Sequence, residues 1–79
     1  MNFKLLVGQT MMWEMGNGNL IPIRNMTSTH IKNCLRCLIG KGTMVIPEVH
    51  FGRPRHEWFN IFSVEMSRRG EPIRLIDLL

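Results

Sequence analysis

The run from Gly18 to Asn33, G-N-L-I-P-I-R-N-M-T-S-T-H-I-K-N, constrains this chain more than any other segment. It reads as the end of a turn, a short strand, a capped helix start, and a helix carrying His30 and Asn33 on one side. Asn17-Gly18 is the strongest short hairpin signal, because both central residues of a two-residue type I′ turn need positive φ. The apolar runs Met11 to Met15 and Leu20 to Ile23 then pair as antiparallel strands, with Met15 opposite Leu20 and Trp13 opposite Pro22. Pro22 has no N–H to donate, which puts it on an edge or facing outward. Upstream, Phe3, Leu5, Leu6 and Val7 around Lys4 suffice for another short strand, ended by Gly8 and Gln9.

Thr27 is a good helix N-cap, and Met26 before it with Ile31 four residues after it makes a hydrophobic staple. Ile31, Cys34, Leu35 and Leu38 fall at helical spacing, with Lys32 and Arg36 on the opposite side. Gly40 closes the helix in the left-handed cap position, so the first helix spans about residues 28–39. Residues 40–54 are harder to place. Thr43 to Ile46 has the composition of a short strand interrupted by Pro47, and Glu48 to Phe51 reads as extended. So long a stretch without regular structure is uncommon, and implies either a hidden strand or a functional loop. Pro54 suits the first turn of a second helix over about residues 55–69. Trp58, Phe59, Ile61, Phe62 and Met66 form its apolar face, and Gly70 stops it. The tail I-R-L-I-D-L-L holds five large apolar residues in seven and should pack on the core or on a second copy, as a homodimer contact. The resulting outline is α+β, a small antiparallel sheet with two helices packed on it.

At 79 residues the chain is a single small domain, residues 1–79. A chain this short buries only roughly 60–65% of the surface its unfolded form exposes, and small domains often add disulfides, a metal or a partner subunit. Its two cysteines, Cys34 and Cys37, stand three apart inside the first helix, where a disulfide would strain the backbone. They read as reduced, which fits a cytoplasmic setting. The apolar runs fall well short of a membrane span, and the N-terminus lacks the length and cleavage site of a signal peptide.

His30, Cys34 and Cys37 share one helical face and are zinc ligand types, with His50 or His56 as a possible fourth. Structural zinc, however, places a C-x-x-C pair on a turn where both sulfurs converge, and no second pair exists here. Cys34 also lies in the core stripe. No metal or other cofactor is therefore expected. A redox C-x-x-C stands at a helix N-terminus, where the dipole lowers the thiol pKa, and this pair is two turns further in. The acidic residues are scattered with no paired acid and base, and Cys34 or Cys37 with His30 lacks an oxyanion site. G-N-G-N and G-K-G are too short for a phosphate loop. The sequence reads as that of a non-enzyme.

What remains is a surface. Net charge is +4 and the calculated pI about 9.8, compatible with an acidic or nucleic-acid partner. Arg53, Arg55 and His56 crowd the start of the second helix, where positive charge opposes the dipole; Glu57 or Glu48 are the candidate neutralising groups. Lys41 lies in the adjoining loop. Arg68 and Arg69 stand about 20 Å along the same helix. Lys41, Arg53, Arg55, His56, Arg68 and Arg69 are the candidate partner-binding residues. Seven methionines add adaptable apolar surface.

Three segments together resemble a group of small, functionally uncharacterised phage-encoded proteins. They are Asn17-Gly18 with Ile21-Pro22-Ile23-Arg24, then Met26-Thr27 with His30-Ile31 and Asn33, and a second helix with Trp58 and Glu65 ahead of Arg68-Arg69. The likeness spans roughly residues 12–38 and 57–70 and departs at Cys34, Cys37 and residues 40–54. It implies a phage or prophage origin and a hairpin followed by two helices, and supplies no activity. Small phage proteins without catalytic residues generally bind a host or viral machine, and one subset blocks bacterial defence, including CRISPR complexes. The expectation is a non-catalytic protein that binds and inhibits a host protein or nucleoprotein complex in the cytoplasm of an infected bacterium. The alternatives are a small basic nucleic-acid-binding protein and a zinc-stabilised module. Elemental analysis of the purified protein should find no stoichiometric zinc; one zinc per chain, with unfolding by a chelator, would restore the third reading.

Overall fold

The structure, a computed structural model, describes residues 11–79. In chain order it contains β1 (Met12–Glu14), β2 (Leu20–Pro22), a 3₁₀ turn (Ile23–Asn25) and α1 (Ser28–Leu38). There follow β3 (Val49–His50), β4 (Arg53–Pro54), α2 (Arg55–Arg68) and a second 3₁₀ turn (Leu75–Leu78). The class is α+β as expected, but the strands make two separate two-stranded antiparallel sheets, β1–β2 and β3–β4. The strand expected within residues 1–8 lies outside the described residues.

The first hairpin forms one residue out of the expected register. Trp13 faces Ile21 and Glu14 faces Leu20, and Met15 is bonded to Asn19 through its N–H at 2.8 Å. The loop is therefore three residues, Gly16-Asn17-Gly18, closed by the Gly18 N–H donating to the Met15 carbonyl at 2.9 Å. Gly18 takes the left-handed conformation at φ 87°, but Asn17 does not, so the type I′ turn is absent. Asn17 instead accepts the Asn19 N–H on its own Oδ1 at 2.9 Å. The hydrophobic pattern explains the slip. Residues directly opposite share a face, and a shift of one residue inverts every side chain of β2. The observed register puts Ile21 and Ile23 on the face of Trp13; the expected one would have turned both away. The ladder continues to Ile23, whose N–H donates to Met11 at 2.9 Å, and its alternation leaves Pro22 at a non-bonded position.

Helix α1 keeps its expected ends. Thr27 Oγ1 accepts the His30 N–H at 3.0 Å. At the other end the Gly40 N–H donates to Cys37 and the Lys41 N–H to Arg36, the paired bonds of a Schellman cap. Ile31, Cys34, Leu35 and Leu38 are buried as the spacing requires. Helix α2 buries Trp58, Phe62 and Met66 and packs against α1.

The core centres on Trp13. Its ring meets Trp58 edge-on at 4.9 Å, Phe62 at 5.1 Å and the His50 ring at 4.8 Å. One side chain thus joins the first hairpin, the second hairpin and α2. Edge-to-face pairs add about 0.5–1.5 kcal/mol beyond area burial. The polar edges are satisfied as well. The Trp58 indole N–H donates to the His50 carbonyl at 2.7 Å, and His50 Nε2 lies 3.0 Å from the Glu14 carbonyl, which requires that nitrogen to carry the proton.

No strand forms over Thr43 to Ile46; Ile46 alone turns inward, and the hidden strand is β3. Its partner β4 follows the two-residue turn Phe51-Gly52, with φ of 48° and 79°. Positive φ at both central residues marks a type I′ turn, so this turn type occurs here and not at Asn17-Gly18. Glycine accepts that geometry freely. Phenylalanine does so at a cost of about 1–3 kcal/mol.

The tail is ordered on the core. Leu78 is fully buried and Ile73 partly so, while the Asp77 carbonyl accepts from Arg36 at 3.2 Å. Leu75, Ile76 and Leu79 remain exposed. Phe62 is fully buried in the core, with its ring against Trp13 and Trp58. Phe62→Ala should cost about 3–5 kcal/mol in denaturant unfolding, most of the stability of so small a domain; an unchanged midpoint would contradict this packing.

Candidate functional site: the second hairpin and the start of the second helix

Segment 40–56 carries much of the exposed apolar surface among the described residues. Met44, Val45, Val49 and Phe51 are exposed, Val45 to 91% and Phe51 to 48%. The strand alternation explains the pattern. His50 turns inward onto Trp13, so Val49 and Phe51 on either side of it turn outward. Val49 pairs with Pro54, and the two line an open groove with Glu48, Arg55 and His56. A second open groove on the other side of Arg55 and His56 is walled by Leu38, Ile39, Gly40 and Phe59. Arg55 and His56 thus form a ridge between two partly apolar depressions.

The sequence-derived basic residues separate into two groups. Arg53 is half-buried. Its NH1 lies 3.4 Å from Glu57 Oε1, and its guanidinium carbon sits 5.8 Å from the Trp58 ring centre. The carboxylate and the ring face absorb its charge. Arg55 is exposed; its backbone N–H donates to Glu48 at 2.9 Å and its NH1 reaches the Ile46 carbonyl at only 3.5 Å. Among the described residues no carboxylate lies within ion-pair distance of Arg55 or Lys41. Lys41 and His56 are exposed.

Arg68 and Arg69 do not extend this surface. Arg68 is exposed but grips Glu65 with Nε at 3.1 Å and NH2 at 2.7 Å. Arg69, with a side chain only 16% exposed, is a clamp. It donates to Glu65 at 2.8 Å, to Ser28 Oγ at 3.2 Å and to the Ile23 carbonyl at 3.1 Å. The Ser28 hydroxyl in turn donates a hydrogen bond to Glu71 Oε2 at 3.1 Å. The end of α2 is thereby tied to the start of α1, and a single basic stripe along α2 does not exist.

His30, Cys34, Cys37 and His50 do line one cavity, of about 200 Å³, together with Met15 and Met44. His56 stands elsewhere, on the ridge. Among the described residues no three His, Cys, Asp or Glu side chains are placed to hold a metal ion. Both thiols are free, and burial, with the nearby Cys37 charge, pushes the Cys34 pKa up to about 12. A thiol so held stays protonated at neutral pH and is a poor nucleophile.

The sequence marks both the loop 40–54 and the basic helix start as a candidate surface, but does not single out Phe51, Val49 or Val45 within the loop. The available signal was V-H-F-G-R-P, two short extended pieces around an x-Gly pair, with an aromatic residue where Asn or Gly is usual. Comparison with protein-family models, with characterised proteins and with solved structures returns no match to this chain. No helix among the described residues is long and apolar enough to cross a membrane.

The Glu65 clamp gives a pH prediction. Hydrogen bonds from Arg68 and then Arg69 hold the Glu65 carboxyl below its usual range despite partial burial. A depressed folded pKa contributes stability above the unfolded value, about 4.3, and that contribution disappears as pH falls through the lower folded value. The stability advantage of the wild type over Glu65→Gln should be full near pH 7 and diminish as the pH is lowered through the carboxylate range. Parallel unfolding curves for the two proteins across that range would show that the carboxylate is unperturbed.

Proposed function

We propose that this chain is a non-catalytic binding protein that engages a protein target through the surface from Lys41 to His56. The observation that carries this reading is the concentration of Met44, Val45, Val49 and Phe51 on one exposed segment beside the ridge of Arg55 and His56. Exposed apolar residues gathered in one segment and flanked by charge have the composition of an interface, with an apolar centre and a polar rim. The target class we propose is a host protein or nucleoprotein complex, inhibited by occlusion. The likeness to phage-encoded proteins and the anti-defence lifestyle of such small proteins support that choice.

Lys41 and Arg55 are the charges on which to test it, because Arg53 is held by Glu57 and its reversal would disturb the fold. Lys41→Glu with Arg55→Glu should weaken capture of the target from bacterial lysate at least 10-fold while leaving the melting temperature unchanged. Unaltered capture would reduce the basic ridge to a solvated face. Tight binding to free DNA or RNA, falling steeply between low and physiological salt, would establish the nucleic-acid reading instead.

A further inference from the structure

We infer that Phe51 is an anchor, which enters an apolar pocket on the target protein, with a carboxylate of the target beside that pocket to meet Arg55. The inference rests on the surface reading above and specifies the chemistry of the partner.

Phe51 occupies the first central position of a two-residue turn at φ 48°, in the left-handed region, and it is the one non-glycine residue among the described residues with positive φ. An aromatic side chain gains nothing locally from that conformation; Asn, Asp or Gly would form the same turn without strain. Nor does core packing require it there. The ring is half-exposed and is not among the buried core side chains. A strained residue persists where something other than local stability holds it, and such residues gather at binding sites. The turn is also rigidly mounted. His50, immediately before it, bonds to the Glu14 carbonyl and stacks on Trp13, and the His50 carbonyl accepts from Trp58. Arg53, immediately after it, is held over Trp58 and against Glu57. An aromatic ring on a fixed tip loses little freedom on binding, which is what a central interface anchor requires.

The exposed residues of the same segment select the partner. Single-stranded nucleic acid is bound by several aromatic rings interleaved with basic groups. Here the exposed companions are aliphatic or thioether, Val49, Val45 and Met44, which bury against apolar protein surface. Of the cations on the hairpin and the helix start, Arg53 is already paired, and Glu48 shares the groove with Arg55. Arg55, with no carboxylate within ion-pair distance among the described residues, suits one carboxylate at the rim of a pocket better than a phosphate track.

The target would be recovered from bacterial lysate on the immobilised wild-type chain, identified by mass spectrometry and purified, and its affinity then measured for variants of the full chain. Phe51→Asn, which accepts positive φ, should bind at least 10-fold more weakly with a melting temperature equal to or above that of the wild type. Unchanged affinity would overturn the anchor. The photoreactive residue p-benzoylphenylalanine placed at position 51, and separately at 49, keeps the result independent of stability. Crosslinks from position 51 to apolar target residues with an Asp or Glu within reach would establish the anchor and its pocket. Crosslinks from position 49 alone would overturn the anchor and leave the surface reading standing. Crosslinks from neither position would overturn both, and crosslinks to nucleic acid would replace the protein partner.

Discussion

Trp13 is the side chain on which the rest of this fold depends. Its ring touches His50, Trp58 and Phe62 at once, so one residue on β1 holds the second hairpin and α2 in place. Two-stranded hairpins have little stability of their own, and among the described residues neither of these is paired with a third strand. Each survives by packing on the same aromatic cluster. The register of β1–β2 follows from that demand, because only one register puts Ile21 and Ile23 on the face that carries Trp13. The turn between them, Gly16-Asn17-Gly18, adapts to the packing.

Around this centre the polar side chains act as ties between distant segments. Arg69 links the end of α2 to the 3₁₀ turn and to the start of α1, with Glu65 and Ser28 completing the network. Arg36 reaches the tail at Asp77. A small domain has few apolar contacts to spare, and partly buried charge-assisted bonds between remote segments add to them. The consequence for function is that formal charge misleads. Arg53, Arg68 and Arg69 have carboxylate partners, and Arg69 and Arg53 are also packed. The exposed cationic surface that is left over is narrower than the count of basic residues implies.

The second hairpin shows how the same cluster supports a surface. Its inner residue, His50, is fixed by one hydrogen bond from its ring, one to its backbone carbonyl and a ring contact with Trp13, while Val49 and Phe51 face outward. Alternation along two residues of strand converts a buried anchor into an exposed apolar tip. The strain at Phe51 is tolerable because the residues on both sides of the turn are held by the core.

The sequence by itself determined the helices. Thr27 as cap, the staple of Met26 and Ile31, the stripe Ile31-Cys34-Leu35-Leu38 and the Gly40 stop are all local signals, and each is read within one or two turns of chain. The burial of Trp58, Phe62 and Met66 followed from the same periodicity. Only the tertiary structure decided the strands and the charges. Asn17-Gly18 favours a type I′ turn in isolation, but Trp13 and its partners lie 37 or more residues apart in sequence, from Trp13 to His50 and beyond, and they chose the register. β3 and β4 have two residues each, too few for a period to show. Whether an arginine is free or spent depends on which carboxylate, ring or carbonyl the fold brings to it, and Arg69 meets Ser28 across 41 residues of chain. Local chemistry is written in adjacent residues; register and residual charge are set by contacts that exist only once the chain has closed on itself.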